Sequence, residues 1–545
     1  MKKYCDTAFL MVLFIISHAP SWAQDNLSAL LPMPNLVQIK QGAQNFLVNP
    51  ATKIEISSDS LQFEASFLQK LLKDQMGLHP EISNTLSKKQ NTIRLVVDNA
   101  VMGIDHYLID INREGITIKG ARRGAIFYGL ATLKQVLLGD VVNTHQKQLS
   151  PIHIDDQPRL PERILMLDPA RHFLPLDDLK RYVDAMAMYK FNRLQLHLTD
   201  DQGWRIEIKK HPKLTSVGAV RSSTGGMNGP DNGFYSQQQI KELVQYAADR
   251  NIVLIPEIDI PGHTVAALAA YPELGCQHTD TMPKHIGKTT DLMLCAANEK
   301  VYVLYKDIIE EIAALFPSPI IHLGGDEAAI PKNWGQCGRC QTLKKQLGYK
   351  KDSDLMNYFF SKMLAFVRNG NKTPVLWCEL DNIRMPANEF LFPYPKDVIL
   401  VTWRYGLTPK CFDLTAASGN SLIMAPGEFT YFDYPQFQND LPEFNNWGMP
   451  ITTLKKVYEF DPGYGLPPEK QAHIIGVAGT LWGEAIKNID RAFYMSFPRA
   501  LALSEAAWTQ MKYRSWDSFQ QRMYPNLNLL MKQGVSFRVP FEIAR

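Results

Sequence analysis

The residue types best suited to acid–base chemistry meet in one dipeptide, Asp326-Glu327. It follows an apolar run, Ile320–Leu323, and two glycines. An Asp-Glu pair is often no more than the solvated acidic start of a helix. Here the apolar run predicts a buried strand, and the glycines would let the chain turn tightly and present both carboxyl groups at its end. Carboxyl groups in such a position can transfer a proton and offset charge that develops during a reaction.

Other apolar runs are followed by acids, histidines and aromatic residues. These residues are Asp168, Arg171 and His172; His197, Asp200, Asp201 and Trp204; Glu257, Asp259 and His263; Trp377 and Glu379; Trp403; Tyr431 and Asp433; and Trp482 and Glu484. Aromatic rings contact the C–H faces of sugars, carboxylates accept hydrogen bonds from hydroxyl groups, and an arginine can bind two oxygens at once. The mixture therefore indicates a carbohydrate site.

A metal centre is the alternative, since Asp, Glu and His are also metal ligands. Gln195 stands where a barrel metallohydrolase would have the first His of an H-x-H motif, and the sequence has no H-E-x-x-H motif. We therefore expect a site with neither a metal ion nor a cofactor.

The adjacency of Asp326 and Glu327 restricts the mechanism. Hydrolysis of a glycosidic bond ordinarily uses two carboxyl groups on opposite sides of it, about 5–5.5 Å apart for retention or about 6.5–9.5 Å for inversion. Neighbouring residues cannot easily reach both sides. Either a remote acid is the second partner, or the substrate supplies its own nucleophile.

All of these residues would lie at the same end of the fold if the apolar runs are the strands of a barrel. The runs are Ile164–Leu167, Leu194–Leu198, Ile252–Ile258, Pro319–Leu323, Pro374–Trp377, Val398–Trp403, Leu422–Met424 and Ile474–Leu481. Continuous apolar runs suit strands buried on both faces, and helical patterns separate them, such as Ile240–Asp249 after the capping-box sequence 236–239 (SQQQ). An open doubly wound sheet would need a glycine-rich phosphate loop after its first strand, which is missing. We predict an α/β fold, a (β/α)8 TIM barrel, with functional residues at the C-terminal ends of its strands.

A small α+β domain is predicted before the barrel, over residues 24–157. It combines strand-like runs with helical patterns at 61–76 and 125–138, and it holds no cluster of acids, histidines and aromatics. The Pro-containing stretch 155–161 is taken as the boundary. The barrel is then expected over residues 158–512, with a C-terminal helical segment packed on it over residues 513–545.

Composition and charge exclude several classes of protein. The 545 residues are 45% apolar, and 58 Lys and Arg against 55 Asp and Glu leave a net charge of +3. So small a surplus argues against the basic face of a nucleic-acid-binding protein, and the apolar content argues against disorder. No segment after residue 23 has an uninterrupted apolar run of about 18 residues, so no membrane span is expected.

The first residues have the pattern of a secretory signal peptide. Lys2 and Lys3 precede a mostly apolar stretch, residues 8–16, and the small residues Ser21 and Ala23 would stand at positions −3 and −1 of a cleavage site. A membrane anchor, the alternative, would need about 20 apolar residues. Residues 1–23 are therefore predicted to be removed, and the mature protein to be exported, either to the periplasm or outside the cell.

Export permits disulfides among the cysteines that follow residue 23. Cys276 and Cys295 bracket a short polar loop that a disulfide could close. Cys337 and Cys340 form a C-x-x-C motif, which fits half a zinc site or a redox pair. Because no second pair has zinc-site spacing, a loop disulfide is the preferred interpretation.

The ordered motifs resemble those of glycoside hydrolase family 20, the β-N-acetylhexosaminidases. Residues 322–327 (HLGGDE) are similar to the family's H-x-G-G-D-E signature. Supporting stretches follow in the family's order: 167–172 (LDPARH), 197–205 (HLTDDQGWR), 256–263 (PEIDIPGH), 481–484 (LWGE) and 497–499 (FPR). The domain before the barrel resembles the α/β domain that precedes the barrel in this family.

The resemblance implies an exo-acting enzyme that removes terminal, non-reducing β-linked N-acetylglucosamine or N-acetylgalactosamine from glycans with retention. The 2-acetamido oxygen of the substrate would attack C1 and form an oxazoline, Glu327 would act as general acid and then base, and Asp326 would orient the acetamide. The remaining residues would bind or support: Arg171, Asp433 and Glu484 the sugar hydroxyls; Trp377, Trp403 and Trp482 the acetyl pocket; Tyr431 the acetamide oxygen; Asp200 and His263 the environment of Glu327.

Two positions depart from the family pattern. Gln195 stands where a His is frequent, and Cys378 where many relatives have Asp. The competing class is a module that binds N-acetylated glycans without cleaving them. Such a module would be expected to lack Asp326 or Glu327, and both are present.

Overall fold

The computed structural model of the chain describes residues 27–87, 90–138, 145–221, 230–276, 291–381, 389–438, 440, 449–465 and 468–540. The chain forms two compact units, a smaller one that consists mainly of Pro34–Asp156 and a larger one that consists mainly of Gln157–Gln520. The predicted signal peptide lies outside the described residues.

The smaller unit contains a mixed sheet and two helices. Its strands are β1 (Leu36–Ile39), β2 (Phe46–Val48), β3 (Lys53–Ile56), β4 (Ile82–Ser83), β5 (Thr92–Val97), β6 (Tyr107–Asn112), β7 (Gly115–Gly120), β8 (Lys147–Leu149) and β9 (Ile152–Asp156). Seven of them form one sheet in the order β1-β9-β6-β7-β5-β3-β4, and β2 pairs with β8. Helices α1 (Gln62–Met76) and α2 (Arg123–Leu138) pack against this sheet. The two helices predicted at 61–76 and 125–138 are present, as an α+β unit requires.

The larger unit is a closed barrel of parallel strands. The barrel strands are β10 (Glu162–Leu167), β11 (Arg193–His197), β16 (Val253–Ile260), β17 (Ile320–Gly324), β18 (Thr373–Trp377), β19 (Ile399–Thr402), β20 (Leu422–Met424) and β21 (Ile474–Leu481), hydrogen-bonded in that order. Each coincides with one of the eight predicted apolar runs to within two residues at either end. The prediction of a TIM barrel is confirmed, because strands buried on both faces leave the continuous apolar pattern from which it was made. Ile164, Ile255, Val375 and Val401 belong to the apolar cluster inside the barrel.

Helices and short hairpins connect the barrel strands, and two helices follow the last strand. The helices are α3 (Leu176–Met188), α4 (Lys213–Ser216), α5 (Gln237–Asp249), α6 (Val265–Ala270), α7 (Glu299–Leu315), α8 (Gly338–Gln346), α9 (Leu355–Asn369), α10 (Thr408–Ser418), α11 (Gly427–Thr430), α12 (Leu454–Glu459), α13 (Pro468–Gln471), α14 (Ile489–Ser496) and α15 (Arg499–Trp508). Strands β12 (Thr199–Asp200) and β13 (Gly203–Trp204) form one hairpin, and β14 (Val220–Arg221) and β15 (Asp231–Asn232) another. The predicted capping box is present: Ser236 accepts from the Gln239 backbone N–H, and the Gln239 side chain accepts from that of Ser236.

A final helix, α16 (Trp516–Lys532), follows the barrel. That residues 513–545 pack on the barrel as a helical segment stays a prediction. Among the described residues, no helix has the length and apolar content needed to cross a membrane.

The cysteines do not pair as the sequence suggested. Cys378 forms a disulfide with Cys411 of α10, a pair that sequence spacing did not indicate. Cys276 and Cys295 are not bonded to each other, nor are Cys337 and Cys340. The preference for a loop disulfide was therefore wrong. The two pairs of cysteines lie together in the fold, and their spacing along the chain does not reveal this.

Candidate active site

The Asp326-Glu327 dipeptide leaves the end of β17 through a turn that only glycine accommodates. Gly324 has a φ of +63°, and a Cβ atom on it would lie 1.7 Å from Oδ1 of Asp259. The Gly325 N–H donates to the same carboxyl oxygen at 3.2 Å. Glu327 itself has a φ of +47°, in the left-handed region that is costly for a residue with a Cβ. The backbone therefore holds this dipeptide in a strained, well-defined position at the C-terminal end of the barrel.

The two carboxyl groups of the dipeptide have opposite environments. Asp326 is buried, whereas the side chain of Glu327 is 54% exposed. His263 Nε2 lies 3.7 Å from Oδ2 of Asp326 and 3.7 Å from Oε2 of Glu327. His263 thus stands between the two carboxyl groups.

His263 is in turn held by Asp200, at the end of the next strand. The Nδ1 atom of His263 lies 3.3 Å from Oδ1 of Asp200. Burial alone would lower the pKa of His263, but the charges of Asp200, Asp259 and Asp326 outweigh it and raise that pKa well above its usual range. His263 is consequently a cation facing the two carboxyl groups.

Arg171 occupies a buried position between two acids. Its guanidinium donates to Oδ2 of Asp168 at 2.9 Å and lies 2.8 Å from Oδ2 of Asp200. The same group stacks over the ring of Trp482 at 5.0 Å. The Nε atom of Arg171 is buried and has no hydrogen-bond partner among the described residues. Arg171 is therefore fixed in place with one donor unused.

Four aromatic rings from separate strand ends form a closed circuit of contacts, which we call the aromatic box. Its members are Trp377, Trp403, Tyr431 and Trp482. Neighbouring ring centroids are 6.4, 6.4, 6.2 and 5.7 Å apart around the circuit. The sequence therefore predicted correctly that these aromatics gather, because each follows a barrel strand.

Several buried polar atoms beside the box have no hydrogen-bond partner among the described residues. Oδ1 of Asp326 and Nε1 of Trp403 are buried and have no hydrogen-bond partner within the described part of the chain. The hydroxyl of Tyr431 is buried beside the Trp482 indole without a hydrogen bond of normal geometry. Burial also raises the pKa of Tyr431 well above its usual range, and nearby charges, including Asp326, add to that rise. One acceptor and two donors thus remain for a bound molecule.

Asp433 and Glu484 are a second pair of acids beside the box. Burial raises the pKa of Asp433 well above its usual range, and the neighbouring charge of Glu484 adds to this. Burial likewise raises the pKa of Glu484, although Arg171 opposes the shift. Both follow the strand ends named from the sequence.

A hydrogen-bonded network lies beneath the site. His197 hydrogen-bonds to Oδ2 of Asp200 at 2.8 Å, and its Nδ1 atom lies 3.0 Å from Oε2 of Glu257. Glu257 accepts hydrogen bonds from Gln195 and Trp377. Gln195 thus makes a structural hydrogen bond where the family often has His.

Two groups within the site have the composition of metal ligands, namely His197, Glu257 and Asp259, and Asp200, Asp259 and His263. Asp200 already accepts a hydrogen bond from His197, and Glu257 accepts hydrogen bonds from Gln195 and Trp377. Burial together with Asp326 raises the pKa of Asp259 well above its usual range. The raised pKa of Asp259 opposes the ionised form that a metal ligand needs, so these groups fit a hydrogen-bonded network better than a metal site.

The comparisons with known proteins agree with this geometry. Residues 161–511 match the catalytic domain of glycosyl hydrolase family 20, and residues 27–157 match domain 2 of the same family. The chain belongs to glycosyl hydrolase family 20. It is accordingly a glycoside hydrolase.

Relatives in family 20 match most of the chain. A β-hexosaminidase of Akkermansia muciniphila is 37% identical over 465 residues, which are 84% of this chain and 91% of that protein. The structure of a β-N-acetylhexosaminidase from Streptomyces coelicolor is 28% identical with a TM-score of 0.80, covering 94% of this chain and 97% of that one. An exo-β-N-acetylglucosaminidase from Vibrio harveyi, solved with N-acetylglucosamine, is 29% identical with a TM-score of 0.80, covering 94% of this chain and 79% of that one.

One pair at this family 20 site escaped the sequence reasoning. Arg404 makes a bidentate ion pair with the buried Glu379, with distances of 2.8 to 3.1 Å, and its Nη1 lies 3.8 Å from Oε1 of Glu327. The guanidinium also stacks over Trp403 at 4.1 Å. Glu379 follows β18 and is one of the strand-end residues recognisable from the sequence, but the family resemblance implies no role for it. Arg404 follows Trp403, and its basic charge beside an aromatic was the available signal.

Proposed function

We propose that this family 20 enzyme is an exo-acting β-N-acetylhexosaminidase that removes terminal β-linked N-acetylglucosamine or N-acetylgalactosamine by a retaining, substrate-assisted mechanism. The coarser statement, a β-hexosaminidase, follows from its relatives. The mechanism rests on one observation: the unpaired Oδ1 of the buried Asp326 stands beside the aromatic box and next to the exposed Glu327.

A 2-acetamido group satisfies the atoms that the site leaves unpaired. Its N–H can donate to Oδ1 of Asp326, its carbonyl oxygen can accept from the Tyr431 hydroxyl, and its methyl group can lie against the rings of the box. A buried polar atom without a partner costs about 1–3 kcal/mol. A ligand that pairs these atoms recovers that cost, whereas a plain hydroxyl at the same position would not reach them all.

The proposed first step uses the acetamide as the nucleophile. Its carbonyl oxygen forms a bond to C1 while the bond from C1 to the leaving oxygen breaks, and Glu327 gives its proton to that oxygen. The positive charge that develops on the acetamide nitrogen is offset by the carboxylate of Asp326. This route removes the need for two carboxyl groups on opposite sides of the bond, which adjacent residues cannot provide.

In the second step Glu327, now ionised, takes a proton from water while the water oxygen bonds to C1 and the oxazoline ring opens. Two displacements at C1 give overall retention. The exposure of Glu327 suits both steps, because the leaving group and the incoming water approach from solvent. His263, held by Asp200, lies 3.7 Å from a carboxyl oxygen of each residue and helps to keep the two side chains in place.

The outer part of the sugar would be held by the remaining residues. The unused donor of Arg171 and the carboxyl groups of Asp433 and Glu484 are placed to bind hydroxyl groups of the non-reducing sugar. Arg171 is suited to this task because its other donors are committed to Asp168 and Asp200, so the side chain cannot turn away. These polar groups would orient the sugar relative to the aromatic box.

Substrates that differ only in the acyl group test the mechanism. A series of aryl glycosides with N-acetyl, N-fluoroacetyl, N-difluoroacetyl and N-trifluoroacetyl groups progressively weakens the carbonyl oxygen as a nucleophile. We expect kcat to fall steeply along the series, and NMR of the first product to show the β-anomer. A rate that is independent of fluorination would point to an enzyme nucleophile and would overturn the proposal.

Glu327→Gln tests the proton donor. The variant should lose at least the factor of about 10²–10⁴ attributed to general acid–base catalysis, and the loss should be smaller with an activated leaving group that needs no proton. Glu469→Gln, which changes an exposed glutamate of α13, is the matched control. Turnover of Glu327→Gln near that of the control would refute the assignment.

We also propose that the enzyme is exported, on the pattern of residues 1–23. Expression of the full chain in a bacterial host, followed by fractionation and N-terminal sequencing, should give a mature protein that begins at Gln24. A cytoplasmic protein with an intact N-terminus would contradict export.

A further inference from the structure

Four cysteines lie together outside the candidate active site. Their Sγ atoms all fall within 4.8 Å of one another, and we call them the four-cysteine cluster; its members are Cys276, Cys295, Cys337 and Cys340. Three of the four are buried and the first is partly buried. None of them is bonded to another cysteine.

The distances within the cluster are those of a tetrahedral thiolate site. The measured Sγ–Sγ separations are 3.8 Å for Cys276 and Cys340, 3.9 Å for Cys295 and Cys337, and 3.6 Å for Cys295 and Cys340. A zinc ion with Zn–S bonds of about 2.3 Å in a tetrahedron sets its sulfur atoms about 3.8 Å apart. Disulfide-bonded sulfurs would lie about 2.05 Å apart. The spacing therefore matches four ligands around one ion.

The backbone presents both halves of the cluster. The C-x-x-C half begins α8: Cys337 is its N-cap and Cys340 lies in its first turn, where the positive end of the helix favours thiolates. The other half is brought together by a bridge between Gly275 and Leu294 and by the hydrogen bond from the Cys295 N–H to Leu274 O at 2.9 Å. The fold thus supplies the second pair that was not recognisable from chain spacing.

A counter-charge stands beside the cluster. Four thiolates around a divalent ion leave a double negative charge, which needs compensation when it is buried. The guanidinium of Arg339 is anchored on Gly275 O at 2.8 Å. Arg339 lies in the chain between Cys337 and Cys340 and binds the carbonyl group of the residue before Cys276, so its cation contacts both halves of the cluster.

The cluster connects the two loops that carry the proposed chemistry. One half follows β16 and the turn that carries His263; the other follows β17 and Glu327. The same loops meet through the Trp334 indole, which donates to Leu294 O at 2.8 Å, while the Leu294 N–H donates to Pro261 O at 3.0 Å. Cross-linking them would restrain the turn at His263 relative to the strained backbone at Glu327.

We propose that the four-cysteine cluster binds one structural zinc ion in tetrahedral thiolate coordination, and that this ion fastens the loop after β16 to the loop after β17. The ion has no open coordination position, so it takes no part in hydrolysis. The proposal does not depend on the glycosidase mechanism. Its competitor is a pair of disulfides, which an oxidising compartment would favour.

The metal content and the thiol state of the wild-type protein distinguish a zinc site from a pair of disulfides. The full chain is purified without an immobilised-metal column, and weakly bound ions are removed with a weak chelator. Its zinc content is then measured by elemental mass spectrometry. A second portion is denatured with a strong chelator and an alkylating reagent, without reductant. We expect about one zinc per chain and alkylation of all four clustered cysteines, with Cys378 and Cys411 left unmodified. No zinc together with four unreactive cysteines would overturn the proposal.

Variants assign the ion to the cluster. Cys337→Ser/Cys340→Ser should lower the zinc content at least about tenfold and lower the melting temperature. Cys378→Ser/Cys411→Ser, the matched control, should retain its zinc. Zinc that persists in the first variant would place the ion elsewhere and refute the assignment.

Cobalt provides an independent readout if the first variant does not fold. Wild-type protein produced with Co²⁺ in place of zinc should show the intense visible bands and sulfur-to-metal charge-transfer absorption of tetrahedral cobalt thiolate. Pale, octahedral cobalt spectra would contradict coordination by four sulfurs. Neither readout depends on activity, so the proposed function can fail without affecting this result.

Discussion

Removing the hydroxyl group of Tyr431 is expected to make the protein more stable and far less active. The hydroxyl is buried in the aromatic box without a hydrogen bond of normal geometry. An unpaired buried polar group costs about 1–3 kcal/mol of folding free energy, and Tyr431→Phe removes that cost. The ring that stacks on Trp403, at an interplanar angle of 4°, is kept. We expect the free energy of unfolding to rise by about 1 kcal/mol, the lower end of that range.

The loss of activity has a different origin from the gain in stability. The acetamide oxygen loses electron density as it attacks C1, so the hydrogen bond from Tyr431 does not stabilise developing negative charge. Its contribution is to orient the oxygen toward C1. Misplacement of a reacting group by about 1 Å can cost about 10²-fold, and we expect kcat to fall by about that factor with a smaller change in KM.

Tyr182→Phe is the matched control, because its hydroxyl is buried but paired. It hydrogen-bonds to Oγ of Ser496 at 2.8 Å, so its removal should lower stability by about 1 kcal/mol and leave kcat unchanged. Urea unfolding and steady-state kinetics with an aryl N-acetylglucosaminide give both quantities for each variant. A Tyr431→Phe protein that is less stable than wild type, or one that keeps its kcat, would refute the reasoning.

Two further predictions concern the surroundings of the dipeptide. Burial raises the pKa of Glu379 to about 7 from 4.5 despite Arg404, so the folded protein holds a proton that the unfolded chain releases, and stability should fall by up to about 3 kcal/mol as pH rises from about 4.5 to 7. Urea unfolding across this range should show a shallower fall for Glu379→Gln than for wild type, and equal slopes would count against a raised pKa of this buried acid. Gly324→Ala should lower the free energy of unfolding by about 3 kcal/mol and abolish activity, since the new Cβ meets Asp259 at 1.7 Å and the φ is +63°. Gly348→Ala is the control, because Gly348 has a φ of +69° and nothing lies within 4 Å of the new Cβ atom. Backbone strain alone should lower its free energy of unfolding by only about 1 kcal/mol. An equal loss in both variants would show that the contact with Asp259 does not contribute.

The barrel was predictable because strands buried on both faces leave short continuous apolar runs, and eight such runs alternate with helical patterns along the chain. Leu422–Met424 is only three residues long, yet its bounds match the prediction. The same regularity predicted that Trp377, Trp403 and Trp482 would meet, although Trp377 and Trp482 are far apart in the chain. Parallel strands deliver whatever follows them to one end of the barrel.

Features that depend on contacts between loops were not predictable. Arg404 could be seen after β19, but nothing in the sequence shows that its guanidinium turns toward Glu379 rather than toward solvent. The cysteines failed for the same reason. Chain spacing separates Cys276 from Cys340, whereas the loops after β16 and β17 place their sulfurs 3.8 Å apart.

The different proposed roles of Asp326 and Glu327 follow from the backbone rather than from the side chains. In a regular β-strand, successive side chains point to opposite faces. Such a strand would place one of the two carboxyl groups inside the barrel and the other on its outside. The left-handed φ of Glu327 and the glycine turn before it break this alternation. Asp326 therefore stays buried with an unpaired oxygen, while Glu327 is 54% exposed and still within 3.7 Å of the same histidine. A buried carboxylate can balance charge on a bound amide, and an exposed one can exchange protons with water. Two adjacent acids can divide the reaction in this way only if the substrate provides the nucleophile, which is why the strain at this turn and the acetamide mechanism support each other.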